Sequence, residues 1–185
     1  MVSKDNLSVT KRNGRGKESL NIEKIHSMVG FATEGITGVS ASHVEMNSGI
    51  QFFDGIDTED IQQILIKSAN DLISLDNPNY QYVAARLLLF SLRKKLFHRL
   101  WEHPKFLDHI KLCVEKGMYD KDILVNYTEA EIDRLNGFID HERDYNFTYA
   151  GLRQVMDKYL VQDRSNGDIF ETPQFMYMMI AATLF

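Results

Sequence analysis

The stretch NYQYVAARLLLFSLRKKLFHRLW, residues 79–101, is apolar around most of its circumference until it reaches RKK at 93–95. A helix with one apolar stripe lies on a surface, whereas one that is apolar all round has to be enclosed by other elements. Its apolar runs, such as LLLF at 87–90, fall far below the roughly 20 residues that a membrane span requires. The rest of the chain must therefore wrap around this segment, which starts after Pro78 and leaves the core through a charged exit at RKK. With 44% hydrophobic residues in 185, there is material for such a core in one ordinary domain or two small ones.

The wrapping elements are readable from period and punctuation. Residues 7–21 form a short β-hairpin: LSVTKR alternates weakly, NGRG supplies turn glycines and ESLN closes it. Asn21 then caps a helix carrying Ile25, Met28, Val29 and Ala32, ended by Gly35 and Gly38. SASHVEMNSGIQF is a second short helix and FFDGIDT a tight turn. Thr58 caps a third helix whose stripe is Ile61, Leu65, Ala69 and Leu72. From Pro104 the spacing predicts helices at 105–116, 122–126, 129–139 and 148–159, followed by the hairpin LVQDRSNGDIFET with SNGD at its turn. A last helix starts at TPQF with Thr172 as N-cap and Pro173 in the first position. Its apolar end, MYMMIAATLF, has nothing after it in the sequence, so Phe175, Met178, Met179, Ala182 and Phe185 are expected to await a covering partner.

Charge and cysteine content narrow the chemistry. A formal net charge of −5 gives no broad positive field, which argues against nucleic acid or an anionic membrane as partner. One cysteine, Cys113, allows neither a disulfide framework nor a CxxC zinc module. With no apolar leader at the N-terminus, the expected location is the cytoplasm. Any anion site must be local. Lys11, Arg12 and Lys24 are cations beside a helix N-terminus, whose N–H groups already favour an anion, and the set suits phosphate. A solvated charged turn fits the same residues, and no GxxxxGK[ST] loop occurs. Without a P-loop, a triphosphate needs groups from several elements. Thr58 with Ile61 and Gln62 on one helical face, and Lys94 at the end of the enclosed helix, are available.

Taken together, VTKRNG, ESLNIEKI, FFDGIDTEDI and PNYQYVAARLLLFSLRKK resemble the ATP-cone domain of ribonucleotide reductase large subunits. DHERDYNFTYAGLRQVMDKYLVQDRSNGDIFETPQFMYM resembles the segment joining the cone to the catalytic barrel in the class I, aerobic, branch. The resemblance implies a mainly α fold: residues 1–98 as an ATP-cone, a four-helix bundle with a small β-hairpin lid, and 99–185 as a helical region with the first elements of an α/β barrel. It implies an allosteric site for ATP or dATP, with Mg accompanying the nucleotide and no protein-held metal. Val9, Lys11 and Arg12 match the lid contacts, and Glu18 and Asn21 match positions near base and sugar. Lys24 and Ile25 match the first turn of the following helix, Thr58 and Ile61 the third helix, and Lys94 a phosphate-side lysine. In the family, ATP sustains activity and dATP stops it by changing how large and small subunits assemble. Implied partners are the remainder of the large subunit, the radical-generating small subunit and a second large subunit. This sequence departs at Gln62, where the inhibitable bacterial relatives carry histidine, and has an extra residue in the lid turn around Arg15, Gly16 and Lys17. Weak discrimination between ATP and dATP is the expected consequence.

DHERD at 140–144 is expected to be a surface or junction charge network, and Cys113, in IKLCVEKG, a small buried hydrophobe. The family's radical chemistry uses a thiyl cysteine and a redox pair on the barrel, so no catalytic residue is assigned here. A nucleotide-sensing repressor would need a zinc ribbon with paired cysteines, which a chain with one cysteine lacks. An interaction module with a degenerate cone that no longer binds nucleotide remains the alternative.

Overall fold

A computed structural model describes residues 7–10, 16–49 and 52–184, which fall into two compact units. The first comprises the described residues up to Leu88 together with Thr148–Ala150. The second comprises Leu89–Phe147 and the described residues from Gly151 onward.

In the first unit, β1 (Ser8–Thr10) pairs antiparallel with β2 (Lys17–Ser19), placing Val9 opposite Glu18. β1 also pairs in parallel with β3 (Ile56–Asp57), placing Val9 beside Ile56. The lid is therefore not a lone hairpin. FFDGIDT, expected only to turn, turns at Gly55 (φ +82°) and then adds a third strand, giving the order β2-β1-β3. Four helical pieces complete the unit: α1 (Ile22–Thr33), α2 (Ala41–Gly49), α3 (Thr58–Asp71) and the first half of α4 (Tyr80–Phe97).

Asn21 caps α1 as expected, its Oδ1 accepting from Lys24 N at 3.0 Å. At α3 the expectation fails. Thr58 is the first helical residue and Asp57 occupies the cap position, without a side-chain bond to the helix, because β3 runs directly into α3 with no intervening loop. The stripe Ile61, Leu65 and Ala69 is buried, as are Val29 and Ala32 on α1. α4 is enclosed on all sides from Val83 to Leu92, except at half-buried Arg86, whose Nη1 donates to Glu34 O at 2.6 Å and so satisfies the C-terminal end of α1.

In the second unit, the end of α4 is followed by α5 (Phe106–Glu115), α6 (Ile123–Asn126), α7 (Glu129–Asn136), a 3₁₀ helix (His141–Asn146) and, from Gly151, the greater part of α8 (Tyr149–Lys158), then the hairpin β4 (Gln162–Asp163) and β5 (Asp168–Ile169), then α9 (Pro173–Leu184). Its apolar core gathers Phe106, Ile110, Cys113, Tyr119, Ile123, Ile132 and Phe175. Three expectations are corrected here. Thr172 precedes Pro173, but its hydroxyl is buried with no hydrogen-bond partner and makes no cap. On α9, Phe175 is fully buried, and Met178, Met179 and Ala182 already pack on the core, so the exposed stripe is Tyr177, Ile180, Ala181 and Leu184. Phe185 lies outside the described residues. Finally, the charges at RKK and DHERD do not all stay at the surface.

Arg93 and Asp144 are 2% and 1% exposed. The guanidinium donates to the Tyr145 hydroxyl at 2.9 Å and to His141 O at 2.6 Å, and its Nη2 stands 3.8 Å from Asp144 Oδ2. Gln174 Nε2 donates to Asp144 Oδ1 at 2.8 Å. The stacked rings of His103 and His141, 3.7 Å apart, belong to the same cluster. Burial pushes the Asp144 carboxyl up to about 6 despite Gln174 and Arg93. The neighbouring Asp140 and Arg143 behave as expected, forming an exposed pair at 3.5 Å.

Candidate functional site

β1 is the centre of the sheet, and its two flanking strands lead straight into helices: β2 through Asn21 into α1, β3 into α3. One small sheet thus leads directly into the first turns of two helices, α1 from the Ser8 end of β1 and α3 from its Thr10 end. Each first turn carries N–H groups that no preceding helical carbonyl can satisfy. At α1 one is taken by Asn21, whereas at α3 the Asp57 side chain takes none.

The expected site residues distribute unevenly over this frame. Lys24 is exposed in the first turn of α1, and Ile25 is buried beside it. Thr58, half-buried, opens α3, and Ile61 is buried one turn on. Glu18 is half-buried in β2, opposite Val9. Val9 itself is buried, paired with buried Ile56, so its side chain lies on the covered face of the sheet. Asn21 is exposed, with its side-chain oxygen committed to the cap. Gln62 is 1% exposed and faces inward: its Nε2 donates to Leu87 O of α4 at 3.4 Å and approaches Met28 Sδ of α1 at 3.5 Å. Its amide ties three helices together. Lys94, half-buried in the last turn of α4, belongs to the second unit. Lys11 and Arg12 lie outside the described residues, as does Arg15 of the lid turn.

Other polar contacts hold the frame and have only weak sequence signals. Asp54 Oδ1 accepts from both Ser8 N and Ser8 Oγ at 2.7 Å, and Thr10 Oγ1 donates to Gly55 O at 3.0 Å. The Asp-Gly pair in FFDGIDT marks the turn but not the strand it would grip. In the second unit, Cys113 is buried and burial, with Glu171 nearby, pushes its thiol up to about 11, the setting of an inert thiol and not a nucleophile. No group of three or more His, Cys, Asp or Glu that could hold a metal occurs among the described residues.

The lid sheet and the four helical pieces of its unit fall within one family match. Residues 7–95 match the ATP cone domain family, and residues 145–185 match the family described as ribonucleotide reductase, all-alpha domain. The chain is 51% identical over 180 residues to the ribonucleoside-diphosphate reductase 1 subunit alpha of Escherichia coli (strain K12), covering 97% of this chain and 23% of that protein. It is 50% identical over 182 residues to the ribonucleoside-diphosphate reductase subunit alpha of Buchnera aphidicola subsp. Acyrthosiphon pisum (98% of this chain, 24% of that protein). It is also 43% identical over 178 residues to that of Enterobacteria phage T4 (96% and 23%). The chain belongs to the ribonucleoside-diphosphate reductase alpha-subunit family and corresponds to its N-terminal region. It spans about a quarter of the length of the curated relatives it matches.

Proposed function

We propose that this chain supplies the nucleotide-effector site and part of the scaffold of a class I ribonucleoside-diphosphate reductase large subunit, the enzyme that makes deoxyribonucleotides for DNA synthesis. The observation that carries the reading is the coincidence of the ATP cone match with a three-stranded sheet whose flanking strands run directly into α1 and α3. ATP or dATP, with its Mg, binds there. Lys11, Arg12 and Lys24 contact the phosphates, with Lys94 as a further phosphate-side cation. Thr58 lies at the α3 N-terminus, and Val9, Glu18, Asn21, Ile25 and Ile61 shape the surroundings of base and sugar. Reduction itself takes place on the remainder of the large subunit, with a radical-generating small subunit and a second large subunit as partners, in the cytoplasm. The single cysteine of this chain, buried and held as a thiol, takes no part.

Calorimetric titration with ATP and dATP tests this. Binding is expected, and Lys11→Ala should weaken it roughly ten- to a hundred-fold, the worth of one charge-assisted hydrogen bond. Because the Gln62 amide is spent on Leu87 and Met28, the two nucleotides should bind within about tenfold of each other. Absence of any binding would favour a purely structural cone.

A further inference from the structure

We infer that Asp54 is a positioning residue that clasps the lid onto the α3 N-terminus and so sets its nucleotide affinity without touching the nucleotide; this rests on the nucleotide reading above. The lid strand β1 is three residues long and pairs with only two residues of β3, too little ladder to fix a strand alone. Asp54 supplies what the ladder lacks. Its Oδ1 accepts from both the backbone and hydroxyl of Ser8 at 2.7 Å, Gly55 N returns a bond to Ser8 O at 2.9 Å, and Thr10 reaches Gly55 O at 3.0 Å.

The clasp also acts on the second lid strand. The Lys17 ammonium lies over Gly55, 3.9 Å from where a Cβ would stand, and its charge favours the Asp54 carboxylate. The Ser8 amide, more than the Ser8 hydroxyl, holds that carboxyl below the usual carboxylate range. One exposed carboxylate therefore gathers β1 and β2 at the turn that becomes β3 and then α3. Gly55, at φ +82°, lets the chain present Asp54 toward Ser8 and still enter the parallel strand. With the clasp broken, the lid is closed for only part of the time, and apparent affinity falls by that fraction.

The test compares ATP binding to the parent chain, Asp54→Ala and Asp54→Asn. Asparagine's side-chain oxygen can accept from Ser8 as the carboxylate does, and alanine accepts nothing. Asp54→Ala should raise the ATP Kd about tenfold, as for a lid closed about a tenth of the time, and Asp54→Asn should come back to within about threefold of the parent. Hydrogen exchange at Gly55 N and Leu20 N, whose acceptors are Ser8 O and Leu7 O, should quicken in the alanine variant while the α3 interior stays protected. Equal ATP affinity in parent and Asp54→Ala overturns the clasp, and so does an asparagine variant as weak as alanine. If Asp54→Ala does not fold, Ser8→Ala removes one of the two bonds and should cost about threefold, as for a lid closed a third of the time; no loss there overturns the clasp. If the parent itself binds no ATP, the nucleotide reading fails separately. The exchange rates then decide the clasp, unchanged protection at Gly55 and Leu20 overturning it.

Discussion

Replacing Asp144 by asparagine should stabilise the second unit at neutral pH, although its carboxylate stands 3.8 Å from the buried Arg93 guanidinium. The two charges stand 3.8 Å apart without a hydrogen bond between them, and Asp144 Oδ2 has no hydrogen-bond partner. Burial raises the carboxyl to about 6 against an ordinary value of 3.8, so desolvation outweighs the help of Gln174 and Arg93. Because the folded value lies above the unfolded one, the ionised form costs stability. The cost is absent below 3.8 and fully developed above about 6. At about 1.4 kcal/mol per pKa unit, the span from 3.8 to about 6 comes to about 3 kcal/mol. Asparagine keeps an oxygen for Gln174 and carries no charge. It should therefore be more stable than the parent by about 1–3 kcal/mol at pH 7.5, the gain shrinking toward zero by pH 4. Arg93→Met should instead cost about 3–5 kcal/mol, because it strands a buried carboxylate and leaves the Tyr145 hydroxyl and His141 carbonyl without their donor. Urea unfolding followed by Trp101 fluorescence reads this unit specifically, since Trp101 is the only tryptophan and packs edge-on to Phe90 within it. An Asp144→Asn protein less stable than the parent at pH 7.5 would refute the reasoning, because the ion pair would then exceed its desolvation cost.

Three further outcomes follow from the same unit. Burial pushes His103 and His109 down to about 4, and burial with His103, Arg93 and His109 pushes His141 down to about 3. Stability contributed by the neutral rings is thus complete above 6.5 and lost as pH falls toward 4, by up to about 1.4 kcal/mol per pH unit for each histidine, partly offset by Asp144; urea midpoints across pH 7 to 4 check it. Phe175→Ala should cost about 3–5 kcal/mol in the same assay, since the ring is fully buried against Phe106 at 5.4 Å and His109 at 4.3 Å. Cys113 should react with a thiol reagent only at the rate of unfolding, with its thiol held at about 11, and rapid labelling of the native chain at pH 8 would contradict its burial.

Gln62 and Asp54 show how far the candidate site could be read before folding. Spacing placed Gln62 on one face with Thr58 and Ile61, and it does share the buried side of α3 with Ile61. That its amide would be consumed by a carbonyl 25 residues away on α4 had no local signal. Asp54 carried only the mark of a turn, and its grip on a serine 46 residues earlier depends on a parallel strand pairing that no short window of sequence encodes.

The local elements and the enclosed helix follow from short-range features of the chain. Asn21 at a cap, positive-φ glycines at Gly35 and Gly38, the SNGD turn and the all-round apolar face of α4 each act within a few residues, where backbone sterics and side-chain period decide the outcome. Which charges went inside was settled by long-range packing. In RKK and DHERD, adjacent residues differ little in local preference, but successive positions point about 100° apart in an α-helix and about 120° apart in a 3₁₀ helix, so packing takes Arg93 inward and leaves Lys95 exposed, and buries Asp144 while Glu142 and Arg143 stay in water. A buried charge is tolerated only where distant groups satisfy it. Arg93 found Tyr145 and His141, 52 and 48 residues along the chain, and α9 likewise buried Phe175 against a core assembled from α5, α6 and α7.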